Sequence, residues 1–138
     1  MKKILAILTA LFCVAGAAFA DEIDDILKQQ EAIDNNKTIT ITPKDQHQDG
    51  IKTAKVQIEY TPSTHEVHIY YDCLAVSYDQ GAAMNTILEC LKDFLEENMY
   101  ESYRYLRKDS VKYYNDARKL KWARYHSYVE FKPRTLNF

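Results

Sequence analysis

The sequence predicts an α+β fold: a small antiparallel sheet of three to four strands packed against one long helix, with a short N-terminal helix. Segments that alternate apolar and polar residues are grouped ahead of a long helical stripe instead of alternating with helices. Glycine and proline occur only three times each in 138 residues, so long linkers are not expected. This order disfavours the alternative of repeated parallel strand–helix units.

Residues 1–20 have the pattern of a secretory signal peptide. Lys2 and Lys3 form a basic region, an apolar run covers residues 4–14, and Ala18–Ala20 supplies an A-x-A cleavage motif. The apolar run is shorter than the roughly 20 residues that a membrane-spanning helix needs. We therefore expect a bacterial protein that is exported to the periplasm or secreted. Residues 21–138 are expected to form a single α+β domain without a transmembrane segment.

The first half of that domain predicts one helix and three strands. Apolar residues at helical spacing predict a short amphipathic helix over residues 21–34. Strict alternation with β-branched residues predicts a strand over residues 37–42. Residues 54–60 alternate most clearly, and a second alternating segment begins at His65 after a four-residue turn. These last two strands are expected to form a hairpin.

The second half predicts a long helix, a short helix and a final strand. Asp79 can cap a helix that begins near Gln80 and, by its apolar spacing, continues to about Lys108. A short helix is predicted over residues 111–120 and a strand over residues 121–132. The apolar stripe of the long helix comprises Met84, Ile87, Leu88, Leu91, Phe94, Leu95, Met99, Tyr103 and Leu106. The residues expected to be buried between sheet and helix are Ile58, Ile69, Leu88, Leu91 and Phe94.

Cys73 and Cys90 are the two cysteines outside the signal segment. Their spacing is not C-x-x-C, so neither a thioredoxin motif nor a zinc knuckle is indicated. From Cys73 the strand runs about 17 Å further to Tyr78. The following helix returns about 16 Å to Cys90 if it folds back over the strand. This register and the expected export favour a structural disulfide, with two buried free thiols as the alternative.

The polar face of the sheet is the main candidate for a binding site. If the hairpin and the last strand are neighbours, their polar positions form one aromatic and titratable surface. Acid–base chemistry at His68 and His126, or an ordinary solvated sheet face, are the alternatives. His65 and His68 point to opposite sides of a strand, so no metal site is expected there. The candidate ligand or partner surface comprises His68, Tyr70, Asp72, Trp122, Arg124, His126 and Tyr128.

Charge is distributed unevenly along the chain. Residues 21–100 contain 16 acidic and 6 basic residues, whereas residues 101–138 contain 10 basic and 4 acidic residues. The two halves can neutralise each other by packing together, or the basic half can face an anionic partner. Tyrosines crowd the same basic region, and no nucleic-acid-binding signature accompanies them. The candidate basic surface comprises Arg104, Arg107, Lys108 and Lys112.

These features favour a non-enzymatic exported binding module of the bacterial envelope or periplasm, such as an inhibitor, immunity-type or envelope-associated protein. Its partner is expected to be another protein or an envelope component, without nucleic acid and without a cofactor. A small exported hydrolase that uses His68 or His126 on the polar sheet face is the alternative. A purely structural envelope component is the third class. The residues fix neither the partner nor the oligomeric state.

Overall fold

The fold is built on a six-stranded antiparallel sheet with one long helix across one of its faces. A computed structural model describes residues 23–31, 33, 36–48 and 50–135, so the predicted signal segment lies outside the described residues. Residues 23–31 and 33 are helical and form α1. The other elements are β1 (Ile39–Ile41), β2 (Lys55–Thr61), β3 (Glu66–Leu74), α2 (Gln80–Glu97), β4 (Tyr100–Tyr105), β5 (Ser110–Asn115) and β6 (Lys121–Pro133). A single 3-10 turn, Ala75–Ser77, leads from β3 towards α2.

The strands follow the order β1-β2-β3-β6, and β6 then pairs with both β4 and β5. The long strand β6 spans 13 residues and therefore offers room for two short partners placed end to end. Tyr105 pairs with Val129, in the C-terminal half of β6. Ser110 pairs with His126, at the end of the N-terminal half of β6. The predicted β2–β3 hairpin is present, with a register that runs from Lys55–Asp72 to Thr61–Glu66.

The predicted sheet of three to four strands is wrong, because residues 100–115 add two strands instead of helix. The long helix ends at Glu97, whereas its apolar spacing predicted an end near Lys108. Met99 adopts a left-handed backbone with φ 55°, which turns the chain out of the helix. Residues 102–105 alternate polar and aromatic side chains, and pairing of β4 with β6 satisfies backbone groups in this segment. The short helix predicted over residues 111–120 is replaced by β5 and a turn.

The core lies between α2 and the sheet face that it covers. Ile58, Ile69, Leu91 and Phe94 are buried in it, as predicted. Leu88 is 41 % exposed, so its predicted burial is wrong. The buried residues of α2 are Ala83, Thr86, Ile87, Cys90, Leu91 and Phe94. The buried face is therefore centred on the 83–87–90–94 line, and Leu88 lies at its solvent edge.

Cys73 and Cys90 are buried in this core and free, so the expected disulfide is not formed in the structure. The Sγ of Cys90 lies 3.8 Å from the carbonyl oxygen of Asp45 and is directed towards the β1–β2 connection. The expected register required β3 to continue to Tyr78, whereas β3 ends at Leu74 and a 3-10 turn follows. The distances along the strand and helix axes also left the rotation of α2 open, and this rotation sets the direction of the Cys90 side chain.

Neither described helix combines the length and the apolar composition that would be needed to cross a membrane.

Candidate functional site

The sheet face that points away from α2 carries all seven residues of the predicted partner surface. The pairing of β3 with β6 places His68 opposite Tyr128, Tyr70 opposite His126, and Asp72 opposite Arg124. Alternate residues of both strands are buried under α2, which leaves the residues between them on the outer face. The surface residues are half-buried: His68, Tyr70, Asp72, Trp122, Arg124, His126 and Tyr128.

Four rings of this face form a nearly parallel stack across the two strands. The Tyr128 and His68 rings have centroids 4.0 Å apart at an interplanar angle of 6°. The His68 and His126 rings follow at 5.0 Å and 11°. The His126 and Tyr70 rings are 4.7 Å apart, also at 11°. Cross-strand neighbours at these distances support each other, so the rings hold one another in fixed orientations.

Two arginines extend the stack at its ends. The guanidinium of Arg107, in the β4–β5 turn, lies 5.5 Å from the Tyr128 ring centroid. The guanidinium of Arg124 lies 5.0 Å from the Tyr70 ring and 5.4 Å from the Tyr114 ring. All three distances are within the range of cation–π attraction. The resulting ring stack comprises, in order, Arg107, Tyr128, His68, His126, Tyr70, Arg124 and Tyr114.

Asp72 fixes the orientation of Arg124 in the ring stack. Arg124 donates through Nε to Oδ1 of Asp72 at 2.7 Å and through Nη2 to Oδ2 at 2.9 Å. This two-pronged geometry matches the planar guanidinium to the planar carboxylate. The hydrogen bond to Asp72, opposed in part by burial, raises the pKa of Arg124. The pair leaves Asp72 engaged with Arg124, so it does not serve as a partner for His126.

The two histidines at the centre share one hydrogen bond. Nδ1 of His68 lies 2.8 Å from Nε2 of His126, which requires one nitrogen to carry the proton and the other to accept it. Burial lowers the pKa of His68 below its ordinary value. Burial, and after it the charge of His68, lowers the pKa of His126. The pair is therefore neutral at neutral pH, and the arginines carry the positive charge of the stack.

The ring stack lies on an open face and not in a cavity. Four of the depressions in the described residues have volumes of about 360 to 680 Å³, and one of these four borders Arg107 at the end of the stack. Only Asp72 of the seven predicted residues borders one of them. A reaction site needs a concave pocket in which catalytic groups converge on a substrate. The geometry therefore does not favour hydrolysis at His68 or His126.

Trp122 has a different role from its neighbours on this face. Its Nε1 donates to Oδ2 of Asp116 at 2.8 Å. Oδ1 of Asp116 also accepts from the backbone N–H groups of Arg118 and Leu120. These hydrogen bonds, that of Trp122 first, lower the pKa of Asp116. Trp122 therefore closes the β5–β6 turn, where Lys119 has a left-handed φ of 63°.

The predicted basic residues lie on β4, on β5 and in the turn between them, and the register places Arg104 and Lys112 on the same outer face as the ring stack. Arg104 lies on β4 and pairs with Glu130, with Nη2 and Oε1 3.0 Å apart. Arg107 and Lys108 lie in the β4–β5 turn, and Lys112 lies on β5 opposite Arg124. The expected cluster at a helix end is therefore not formed. Arg107 instead ends the ring stack.

Sequence reasoning missed Tyr114 and did not connect Arg107 with the sheet face. Both residues fall in the segment that was predicted to be helical. The signal that could have found Tyr114 is the alternation of Lys112 and Tyr114 with Val111 and Tyr113. Arg107 lies in a turn, where no periodic pattern could have placed it.

A comparison of the chain with protein-family models, curated proteins and solved structures finds no match.

Proposed function

We propose that the protein is an exported, non-enzymatic binding module whose docking surface is the face that carries the ring stack. The observation that carries this proposal is a row of seven planar groups on an open sheet face. Tyrosine and arginine are enriched among the residues that dominate protein–protein binding energy. The pattern of a signal peptide in residues 1–20 supports export.

The ring stack is suited to binding because its side chains are already ordered. Ordering a flexible side chain on binding costs about 0.5–1.5 kcal/mol. Folding already orders the stacked rings and the Arg124–Asp72 pair, so binding does not require this free energy again. A flat arrangement of this kind presents ring edges and polar atoms together, which suits a protein surface better than a small ligand.

The charges around the ring stack indicate how a partner is oriented. Arg107 and Lys112 lie on the β5 side of the stack. Glu59 of β2 lies opposite His68, and Glu66 of β3 lies opposite Glu130. A partner protein with acidic residues facing β5 and basic residues facing β2 complements this arrangement.

The test is capture of the partner from envelope extract by the purified protein, compared between two matched variants. The face variant carries Tyr70→Ala and Tyr128→Ala. The control carries Tyr105→Ala and Tyr113→Ala, two exposed tyrosines on strands β4 and β5 that point away from the ring stack. We expect a partner that binds the wild type and the control equally and binds the face variant at least about tenfold more weakly, since hot-spot aromatics contribute about 2 kcal/mol or more each. Equal capture by both variants would refute the proposal.

A further inference from the structure

A second cluster of ligand-type side chains lies on the other side of the molecule, where the β1–β2 connection crosses α2. Nε2 of His47 is 2.5 Å from Oδ2 of Asp93 on α2 and 3.5 Å from Oδ2 of Asp45. One donor atom from each of the three residues lies within 4.8 Å of the other two. The cluster contains one imidazole and two carboxylates, contributed by two separate segments of the chain.

The connection that carries His47 is held in place by side chains on both sides of it. Gln46 donates to the carbonyl of Pro43 at 2.6 Å and accepts from the backbone N–H of Val56 at 2.6 Å. The carbonyl of His47 accepts from Oγ1 of Thr86 at 2.9 Å, and Thr86 is buried in the helix–sheet interface. The His47 side chain is therefore directed at Asp93 by a fixed backbone with φ 46°.

The carboxylates of Asp45 and Asp93 both direct their Oδ2 atoms towards the imidazole of His47. Oδ1 of Asp45 accepts from the backbone N–H of His47 at 3.0 Å, which leaves Oδ2 facing the ring. An ion pair of His47 with Asp93 alone would not need this second carboxylate. Glu89 is one helical turn before Asp93 on the same side of α2, so a further carboxylate is close at hand.

We propose that Asp45, His47 and Asp93 bind a divalent transition metal of the zinc class. Zinc takes imidazole nitrogen at about 2.0–2.1 Å and carboxylate oxygen at about 2.0–2.2 Å, so small movements of these three side chains create the site. Magnesium and calcium select oxygen ligands, and the imidazole therefore disfavours them. Three protein ligands leave a fourth position for water or Glu89. The metal ties the β1–β2 connection to α2.

This site could not be predicted from the sequence, because Asp45 and His47 are separated from Asp93 by more than forty residues. The site is also distinct from the ring stack. The His68–His126 pair offers two imidazoles without a third ligand in the described residues, which makes it the natural internal control.

The experiment is a calorimetric titration of the purified protein with zinc chloride at pH 7.5, repeated with cobalt chloride and followed by visible absorption. His47→Asn removes the imidazole while asparagine tolerates the left-handed backbone. Asp93→Asn removes one carboxylate at a half-exposed helix position. We expect both variants to bind zinc at least tenfold more weakly than the wild type, and His68→Gln to bind it as the wild type does.

Circular dichroism and thermal unfolding in the presence of a chelator show whether each variant is folded. If His47→Asn does not fold, the zinc affinity of Asp93→Asn alone is compared with that of the wild type. We also expect zinc to raise the unfolding temperature of the wild type and of His68→Gln, but not of the folded cluster variants. Zinc affinity that is unchanged in the cluster variants, or that is lost only in His68→Gln, would overturn the proposal.

Discussion

Two histidines of the ring stack make the stability of the folded protein depend on pH. His68 and His126 share one proton through their hydrogen bond, and both have a pKa below the ordinary value of about 6.5. Below that pH the unfolded chain takes up protons at these positions before the folded protein does. The pair therefore contributes its full stability above about pH 6.5 and loses it progressively as the pH falls.

We expect the free energy of unfolding to fall between pH 7.5 and pH 5.5 by more in the wild type than in the His68→Gln, His126→Gln double variant. Urea unfolding at the two pH values measures both changes. The comparison with a variant is needed because the hydrogen bond to Asp93 raises the pKa of His47, which adds stability as the pH falls. Leu88→Ala, outside the pair and without a titratable group, is the control and should show the pH response of the wild type. An equal pH response in the double variant would contradict this interpretation.

Met99 is the residue at which the chain leaves the helical pattern. Its φ of 55° is unfavourable for a residue with a side chain, by about 1–2 kcal/mol, and natural for glycine. The side chain is 68 % exposed, so little burial is lost on its removal. Met99→Gly should raise the free energy of unfolding by about 0.5 kcal/mol, because part of the gain is offset by the flexibility of glycine in the unfolded chain.

The same substitution in α2 should have the opposite sign. Met84→Gly places glycine inside a helix and should lower the free energy of unfolding by about 1 kcal/mol. Chemical denaturation of the two variants gives both values. Destabilisation by Met99→Gly of the same size as by Met84→Gly would show that the left-handed turn after α2 is not formed.

At the scale of elements, the rotation of α2 about its axis decides which leucines form the core. Leu91 is fully buried, whereas Leu88, three residues earlier, is 41 % exposed. Leu91→Ala should therefore cost about 2–5 kcal/mol of unfolding free energy, which is the range for large-to-small changes in a core. Leu88→Ala should cost about 0.5 kcal/mol or less, as surface changes do. Equal costs in denaturant unfolding would mean that the rotation of α2 is different.

Elements whose apolar residues follow one period, helical or alternating, could be predicted from the sequence. Segments whose residues fit both periods could not. The alternation in β2, β3 and β6 is strict, so their positions and the shared face of His68, Tyr70 and Asp72 followed directly. Residues 99–106 fit a helical stripe, and within them residues 102–105 also alternate as a strand does. The choice between them depends on the edge of β6, which is distant in sequence and needs a pairing partner.

The residues of the candidate sites could be predicted only where they lie on strands that the sequence identifies. The sequence placed the β3 and β6 residues of the ring stack correctly because strand pairing alone brings them together. Tyr114 and Arg107 were missed because their segment was assigned to helix. The Asp45–His47–Asp93 cluster depends on how an irregular connection crosses α2, and local periodicity carries no information about that.

At the scale of the whole molecule, ion pairs and ring contacts engage several cations of the basic C-terminal half. Arg104 is paired with Glu130, and Arg124 with Asp72. Lys121 lies over the Tyr113 ring at 4.8 Å, away from the ring stack. The acidic residues of α2 lie on a different layer from the arginines of β4 and β6. This arrangement favours charge balance within the fold over one continuous basic face.

We therefore expect weak binding of the purified protein to anionic lipid vesicles at physiological salt. Exposed charges are screened within about 8 Å at 0.15 M ionic strength, and Arg104 and Arg124 are already ion-paired, so the remaining cations gain little from a charged membrane surface. Co-sedimentation with vesicles across a salt series measures the binding. The charge-reversal variant Arg107→Glu, Lys108→Glu, Lys112→Glu is compared with Lys37→Glu, Lys44→Glu, Lys52→Glu, which changes the net charge equally at exposed positions before β2. Strong, salt-sensitive binding that only the first variant abolishes would show that the β4–β5 turn forms a membrane-binding face.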